Sequence, residues 1–160
     1  MPVLLAWCEW IEQTAVATAI REGLWQFPLL ETIHLLSMIL LVAATAALDL
    51  RLLGLAMGRQ PVSKLARRLL TPASAAFGLN FVTGSLLFAS EATFLYSNPY
   101  FLIKIALIIV AVVFHWIVLR IAPKWDEAFP MPAGAKLAAC FSLVLWIGVV
   151  GTARWIAYVV

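Results

Sequence analysis

Four long apolar runs, at 28–55, 73–95, 100–121 and 135–159, leave this chain few ways to fold. Each has the roughly 20 residues that a helix needs to cross about 30 Å of hydrocarbon. A backbone inside a bilayer must satisfy its own polar groups, which leaves helices or closed barrels. Barrels are built from short alternating segments, and the sequence has none. Of the 160 residues, 64% are hydrophobic and 12% charged, far from the balance of a soluble domain. The expected fold is all-α: an integral membrane, four-helix up-down bundle at 28–160, preceded by an interfacial segment at 1–27.

The basic residues give this bundle a direction. Eight of the eleven, Arg51, Arg59, Lys64, Arg67, Arg68, Arg120, Lys124 and Lys136, fall on one side of the expected topology. Positive-inside puts the 56–72 and 122–134 loops in the cytoplasm and both termini in the periplasm, for a multi-pass protein of the bacterial inner membrane. The net charge of +3 is thus an orientation signal and calls for no nucleic-acid partner. Residues 3–22 mix Leu4, Trp7, Ile11, Val16 and Ile20 with Glu9, Glu12, Arg21 and Glu22. They are too short and polar to span, and read as one or two helices lying at the outer surface, the second capped by Thr14. Trp7, Trp10, Trp25, Tyr96, Tyr100, Trp155 and Tyr158 would form an outer aromatic belt, with Trp125 in the inner one. Cys8 and Cys140 fall at opposite faces and are not expected to pair.

Each span also carries an ionisable residue, which costs on the order of 3 kcal/mol in hydrocarbon and so needs a partner or a function. Glu31 and His34 lie on the first, Glu91 on the second, Lys104 on the third and Arg154 on the fourth. Counted from the outer edge, His34 is about six residues deep and the others about four, or ~6–9 Å. One reading is a buried ion network with Glu31 and Glu91 balancing Lys104 and Arg154. A second is a haem site, with His34 as axial ligand and Lys104 and Arg154 as cations for the propionates. Gly84 and Gly151 would leave room for the macrocycle, and Met38, one turn from His34, would pack on it. A second polar layer, His115, Asp49 and Asn80, is expected nearer the inner face. It reads either as a latch of Asp49 with Arg51, Arg120 or His115, or as a further haem or proton relay. His34 and His115 differ in depth by ~14 Å, whereas two nitrogens on one iron each lie ~2 Å from it, so they cannot share a metal. A sixth ligand must be Lys104, a methionine or a group from a second protomer, which would make a homo-oligomer.

ETIHLLSMILLVAATAALDLRLLGL on the first span, TGSLLF on the second, FLIKIALIIVAVVFHWIVLR on the third and GTARWIAYV on the fourth resemble an uncharacterised family of small bacterial membrane proteins. More distantly, the His-bearing first helix and the Lys-opening third resemble CopD-type and HemJ-type membrane bundles. That resemblance implies that His34 and Lys104 take part in haem binding. The leading expectation is therefore a b-type haem protein passing electrons near the periplasmic face to a periplasmic or membrane redox protein, with the lipid bilayer as its surroundings. The alternatives are a non-catalytic scaffold subunit held by its ion network, and a small metal or ion transporter using Glu31, His34 and Met38. Hydrolytic motifs and phosphate loops are absent, so any chemistry belongs to a cofactor or partner.

Overall fold

In the computed structural model, residues 2–58, 60–126, 128 and 130–158 are described. All regular structure among them is helical. Two short helices, α1 (Pro2–Glu12) and α2 (Ala15–Glu22), precede α3 (Gln26–Leu53) and α4 (Val62–Ser90). A six-residue helix, α5 (Ala92–Ser97), leads into α6 (Pro99–Ile121), which ends in a 3-10 turn (Ala122–Trp125) before α7 (Ala133–Ile156). Four helices are long and apolar enough to cross a membrane: α3, α4, α6 with its turn, and α7, with mean hydropathies of 2.0, 1.3, 2.7 and 1.9. The chain is a multi-pass membrane protein. The most apolar span is also the least enclosed, with only 11% of its apolar window buried in α6 against 39% in α3. Lipid, not protein, covers most of α6, so its apolar character serves solvation by hydrocarbon.

α3 is the central helix. It packs along α4 on one side and α7 on the other, α7 packs on α6, and α4 and α6 hardly meet. Met38, Leu41, Ala76, Ala111, Leu145, Trp146 and Val149 form the middle of the core. Leu48, Leu52, Val62, Leu65, Val118 and Ala135 fill the end that carries the basic loops.

The helix ends follow local chemistry. α3 stops at Gly54, whose φ of +79° is easy only without a Cβ. The Leu55 amide then returns to the Leu50 carbonyl at 3.0 Å, a Schellman closure. α6 starts at Asn98, whose side-chain oxygen accepts from the amides of Tyr100 (3.0 Å) and Phe101 (3.4 Å). The Asn98 amide nitrogen donates to the Ile156 carbonyl at 3.1 Å and so ties the end of α7 to the start of α6. Thr14 caps α2 as its position suggests, accepting from the Ala17 amide at 3.4 Å.

The second span differs from its expected limits of 73–95. It begins at Val62 because Val62, Leu65 and Ala66 bury one face of an amphipathic extension, with Lys64, Arg67 and Arg68 exposed on the other. Those three cations dilute the hydropathy of a helix that is nonetheless continuous, even across Pro72. At the far end it stops at Ser90, and Glu91 breaks the chain with φ −138° and ψ 37° before α5. Glu91 thus lies beyond the span, not inside it.

The N-terminal helices pack on that end of the bundle. Glu12 accepts from the Thr93 amide at 3.2 Å and from the Thr93 hydroxyl. Arg21 reaches the Ser90 carbonyl at 3.3 Å. Cys8, Ala17 and Ile20 are buried by this docking, while Trp7 and Trp10 stay exposed, as do Trp25, Trp155 and Tyr158 at the same end. Both cysteines are free.

One cap comes from far away in sequence. Pro61 has no side chain able to cap α4, and Asp126 does this instead. Its carboxylate accepts from the Ser63 amide at 2.7 Å and from the Ser63 hydroxyl. These bonds, followed by the charge of Arg51, hold the Asp126 carboxyl below its usual range. An acid depressed in this way adds stability above the ordinary carboxylate range and loses it as pH falls through the folded-state value. Asp126→Ala should lower the Tm of the detergent-purified protein by a few degrees at neutral pH, and the gap to wild type should close in acid, as followed by tryptophan fluorescence.

Candidate functional site

His34 lies on α3 where that helix faces α4. Its Nδ1 is 3.0 Å from the Thr83 hydroxyl oxygen. Thr83 has a single hydroxyl proton, which goes back to the Leu79 carbonyl at 2.8 Å, so the oxygen accepts and Nδ1 is assigned the donor. The imidazole is then neutral at Nε2, which has no hydrogen-bond partner among the described residues. Three further bonds fix the helix beneath the ring. Asn80 donates to the His34 carbonyl at 2.9 Å and to the Ser37 hydroxyl at 3.0 Å, and Ser37 donates to the same carbonyl at 2.9 Å. Gly84 permits the close approach: a Cβ there would lie 3.0 Å from His34 Cε1. The space beside Gly84 therefore belongs to the imidazole itself, and a macrocycle has to lie elsewhere against the ring.

The residues grouped with His34 by depth separate in the structure. Lys104 on α6 stays half-buried, lies within electrostatic range of His34 and has no hydrogen bond or ion pair to another described residue. Met38 belongs to the apolar core. Glu31 is exposed at the bundle end. Arg154 turns away altogether. It is exposed, donates to the Tyr158 hydroxyl at 2.7 Å and lies over that ring at 5.1 Å, so it is not a member of the site. The expected pairing of Glu31 and Glu91 with Lys104 and Arg154 is not formed. Among the described residues the ion pair is Arg21–Glu12, at 3.5 Å on the docked N-terminal helices.

Glu91 joins that peripheral group. Burial pushes its carboxyl above the usual range, Glu12 and Glu31 push the same way, and Arg21 offsets part of the effect.

Asn80 was expected in the second polar layer, and the structure puts it with His34. The error follows from the span's true start: counted from Val62, Asn80 is deep in α4, well past the middle. The second layer itself is built around a residue the sequence did not flag. Ser142 on α7 donates to Asp49 Oδ2 at 2.7 Å and lies 3.4 Å from His115 Nε2. His115 Nδ1 lies 2.9 Å from the Ala111 carbonyl and donates to it. Asp49 is 2% exposed and pairs with neither arginine considered for it. Arg51 donates to the Gln60 carbonyl at 2.8 Å, and Arg120 lies 4.5 Å over the Trp116 ring. No group of three or more His, Cys, Asp or Glu side chains able to hold a metal occurs among the described residues.

The fold and these two polar layers define a small all-α membrane protein with two oriented imidazoles inside its bundle. The chain belongs to a family of unknown function (DUF6644), whose profile matches residues 8–159. No curated protein and no solved structure matches it.

The raised Glu91 carboxyl makes a sign-specific prediction. An acid displaced upward costs stability when ionised, and the cost appears as pH rises above the ordinary glutamate range. Glu91→Gln should raise the Tm at neutral pH, and its melting curve should merge with that of the wild type in acid; a lower Tm at neutral pH would refute the assignment.

Proposed function

We propose that this protein binds a b-type haem within the bacterial inner membrane, with both termini periplasmic, and passes electrons near the periplasmic face. The observation that carries this reading is the state of His34, with Nδ1–H held by Thr83 and Nε2 left as a bare lone pair. A histidine ligand to iron typically has its far nitrogen oriented in this way. The basic loops between α3 and α4 and between α6 and α7 support the orientation. The placement of a histidine on the first span and a lysine at the start of the third, as in CopD-type and HemJ-type bundles, supports the cofactor.

In this reading His34 Nε2 would hold the iron, and Thr83 would set the ring's orientation and basicity. Lys104 lies on the same end of the bundle and supplies either a cation for a propionate or a second ligand. Haem held there contributes a one-electron couple. Arg154, engaged by Tyr158, has no part. The open line between α4 and α6 gives a flat group a way in that does not require the α3–α4 contact to part.

The scaffold reading rests on charges that neutralise one another across the bundle. The lone state of Lys104 speaks for a ligand in its place.

Purified protein, oxidised and then reduced, should show a Soret band. His34→Ala should lose it while the protein keeps its helical circular dichroism, with a lower Tm from the lost ligand and the lost bond to Thr83. Gly84→Ala should shift the band and weaken haem retention, because the new methyl displaces the imidazole. Arg154→Ala should leave the spectrum unchanged. A colourless protein from haem-replete cells, with no porphyrin on extraction, would sink the proposal.

A further inference from the structure

Below the His34 layer the sparse contact between α4 and α6 opens a cavity of about 280 Å³. Its walls come from all four spans, and its lining is almost wholly apolar, from Leu41 and Leu48 to Phe77 and Trp116. Phe77 on α4 and Val112 and Trp116 on α6 are exposed on the rims of the gap, so the mouth faces lipid.

Two polar groups meet on the inner wall. Trp146 is 7% exposed, and its indole N–H is buried with no hydrogen-bond partner among the described residues. His115 stands beside it, with ring centroids 6.0 Å apart. Its Nδ1–H is committed to Ala111, and its Nε2 has only the long 3.4 Å approach to Ser142, whose proton goes to Asp49. The Thr45 hydroxyl on the same wall is spent on the Leu41 and Val42 carbonyls at 3.2 and 2.9 Å. Trp146 and His115 both line the cavity, so one unused donor and one underused acceptor belong to the walls of an apolar, aromatic slot.

A buried N–H without an acceptor is rare in native proteins and calls for a partner. Water is a poor occupant, because a space this apolar stays dry. A lipid acyl chain fills the slot but offers the indole nothing. Phospholipid ester carbonyls stay at the headgroup level, whereas Trp146 lies near the middle of α7 (Ala133–Ile156). The required group is a carbonyl on a flat ring that an apolar tail carries to mid-bilayer. We infer that the cleft between α4 and α6 binds the head of a lipid-soluble quinone, its carbonyl oxygen accepting from Trp146 and its ring lying among the aromatic side chains. His115 Nε2 is the acceptor for a hydroxyl when the same ring arrives as the quinol. The tail leaves through the gap into lipid. This site is independent of haem at His34 and persists in a colourless preparation.

The test is equilibrium binding of a radiolabelled benzoquinone with a short alkyl tail to the full chain in lipid nanodiscs. Saturable binding is expected, weakened about tenfold in Trp146→Phe, which keeps the ring and removes the donor. Ser74→Phe, at an exposed position on the rim, should weaken it similarly by closing the mouth, with Tm unchanged. Trp155→Phe, at the far end of α7, should bind like the wild type. Absence of saturable binding would overturn the inference. So would full affinity in Trp146→Phe, or equal competition by an alkylbenzene with the same tail and no carbonyl.

Discussion

A polar group that a span carries into hydrocarbon needs a partner, and the pairs formed within the protein organise the bundle. The strongest demand falls on α3, which brings His34, Ser37, Thr45 and Asp49 into the membrane. Each is answered by a short-range bond: His34 and Ser37 by Thr83 and Asn80 on α4, Asp49 by Ser142 on α7, and Thr45 by its own helix. α3 is therefore held between α4 and α7 by directional contacts as well as by packing. α6 makes few such demands toward α4, and the two stay apart. In lipid there is no hydrophobic force to close such a gap, because hydrocarbon wets apolar side chains as well as other side chains do.

Hydroxyl groups do most of this joining. A serine or threonine donates one proton and can still accept, so it links two neighbours at small volume and without a net charge. Thr83 accepts from one partner and donates to another, and Ser142 stands between Asp49 and His115. The Thr83 hydroxyl sets the orientation of His34, whereas His115 is set by its own helix, through the Ala111 carbonyl.

Much of the architecture was legible in the sequence, and the failures have definite causes. Length and hydropathy give four spans, and the cluster of cations marks the loops at one end. The start of α4 was missed because Lys64, Arg67 and Arg68 mask the buried Val62, Leu65 and Ala66, and because Pro72 resembles a boundary. That one displacement also misplaced Asn80. Depth counting put His34, Lys104 and Arg154 at one level but could not give rotation about the helix axis. Arg154 therefore seemed to belong to the site, while its side chain had a nearer partner in Tyr158, one turn on. Thr83, Ser37 and Ser142 carry no charge and gave no signal of their own. Only Ser142 stands on a small-residue face, with Ala135, Ala138 and Ala139 at helical spacing before it.

The cap that Asp126 gives to α4 has a consequence for how the protein is made. Donor and acceptor are separated by 63 residues, with the whole of α6 between them. At a synthesis rate of about 5–20 residues per second, the start of α4 waits on the order of 3–13 s for its carboxylate. The first 27 of those 63 residues are the rest of α4 itself, so the helix is complete in sequence while its first turn, beside three cations, still lacks a carboxylate. The cap is completed only when the third span has crossed and its exit loop has emerged. The order of insertion is thus written into which residue closes which helix, and a chain arrested before Asp126 would leave the translocon with its second span uncapped.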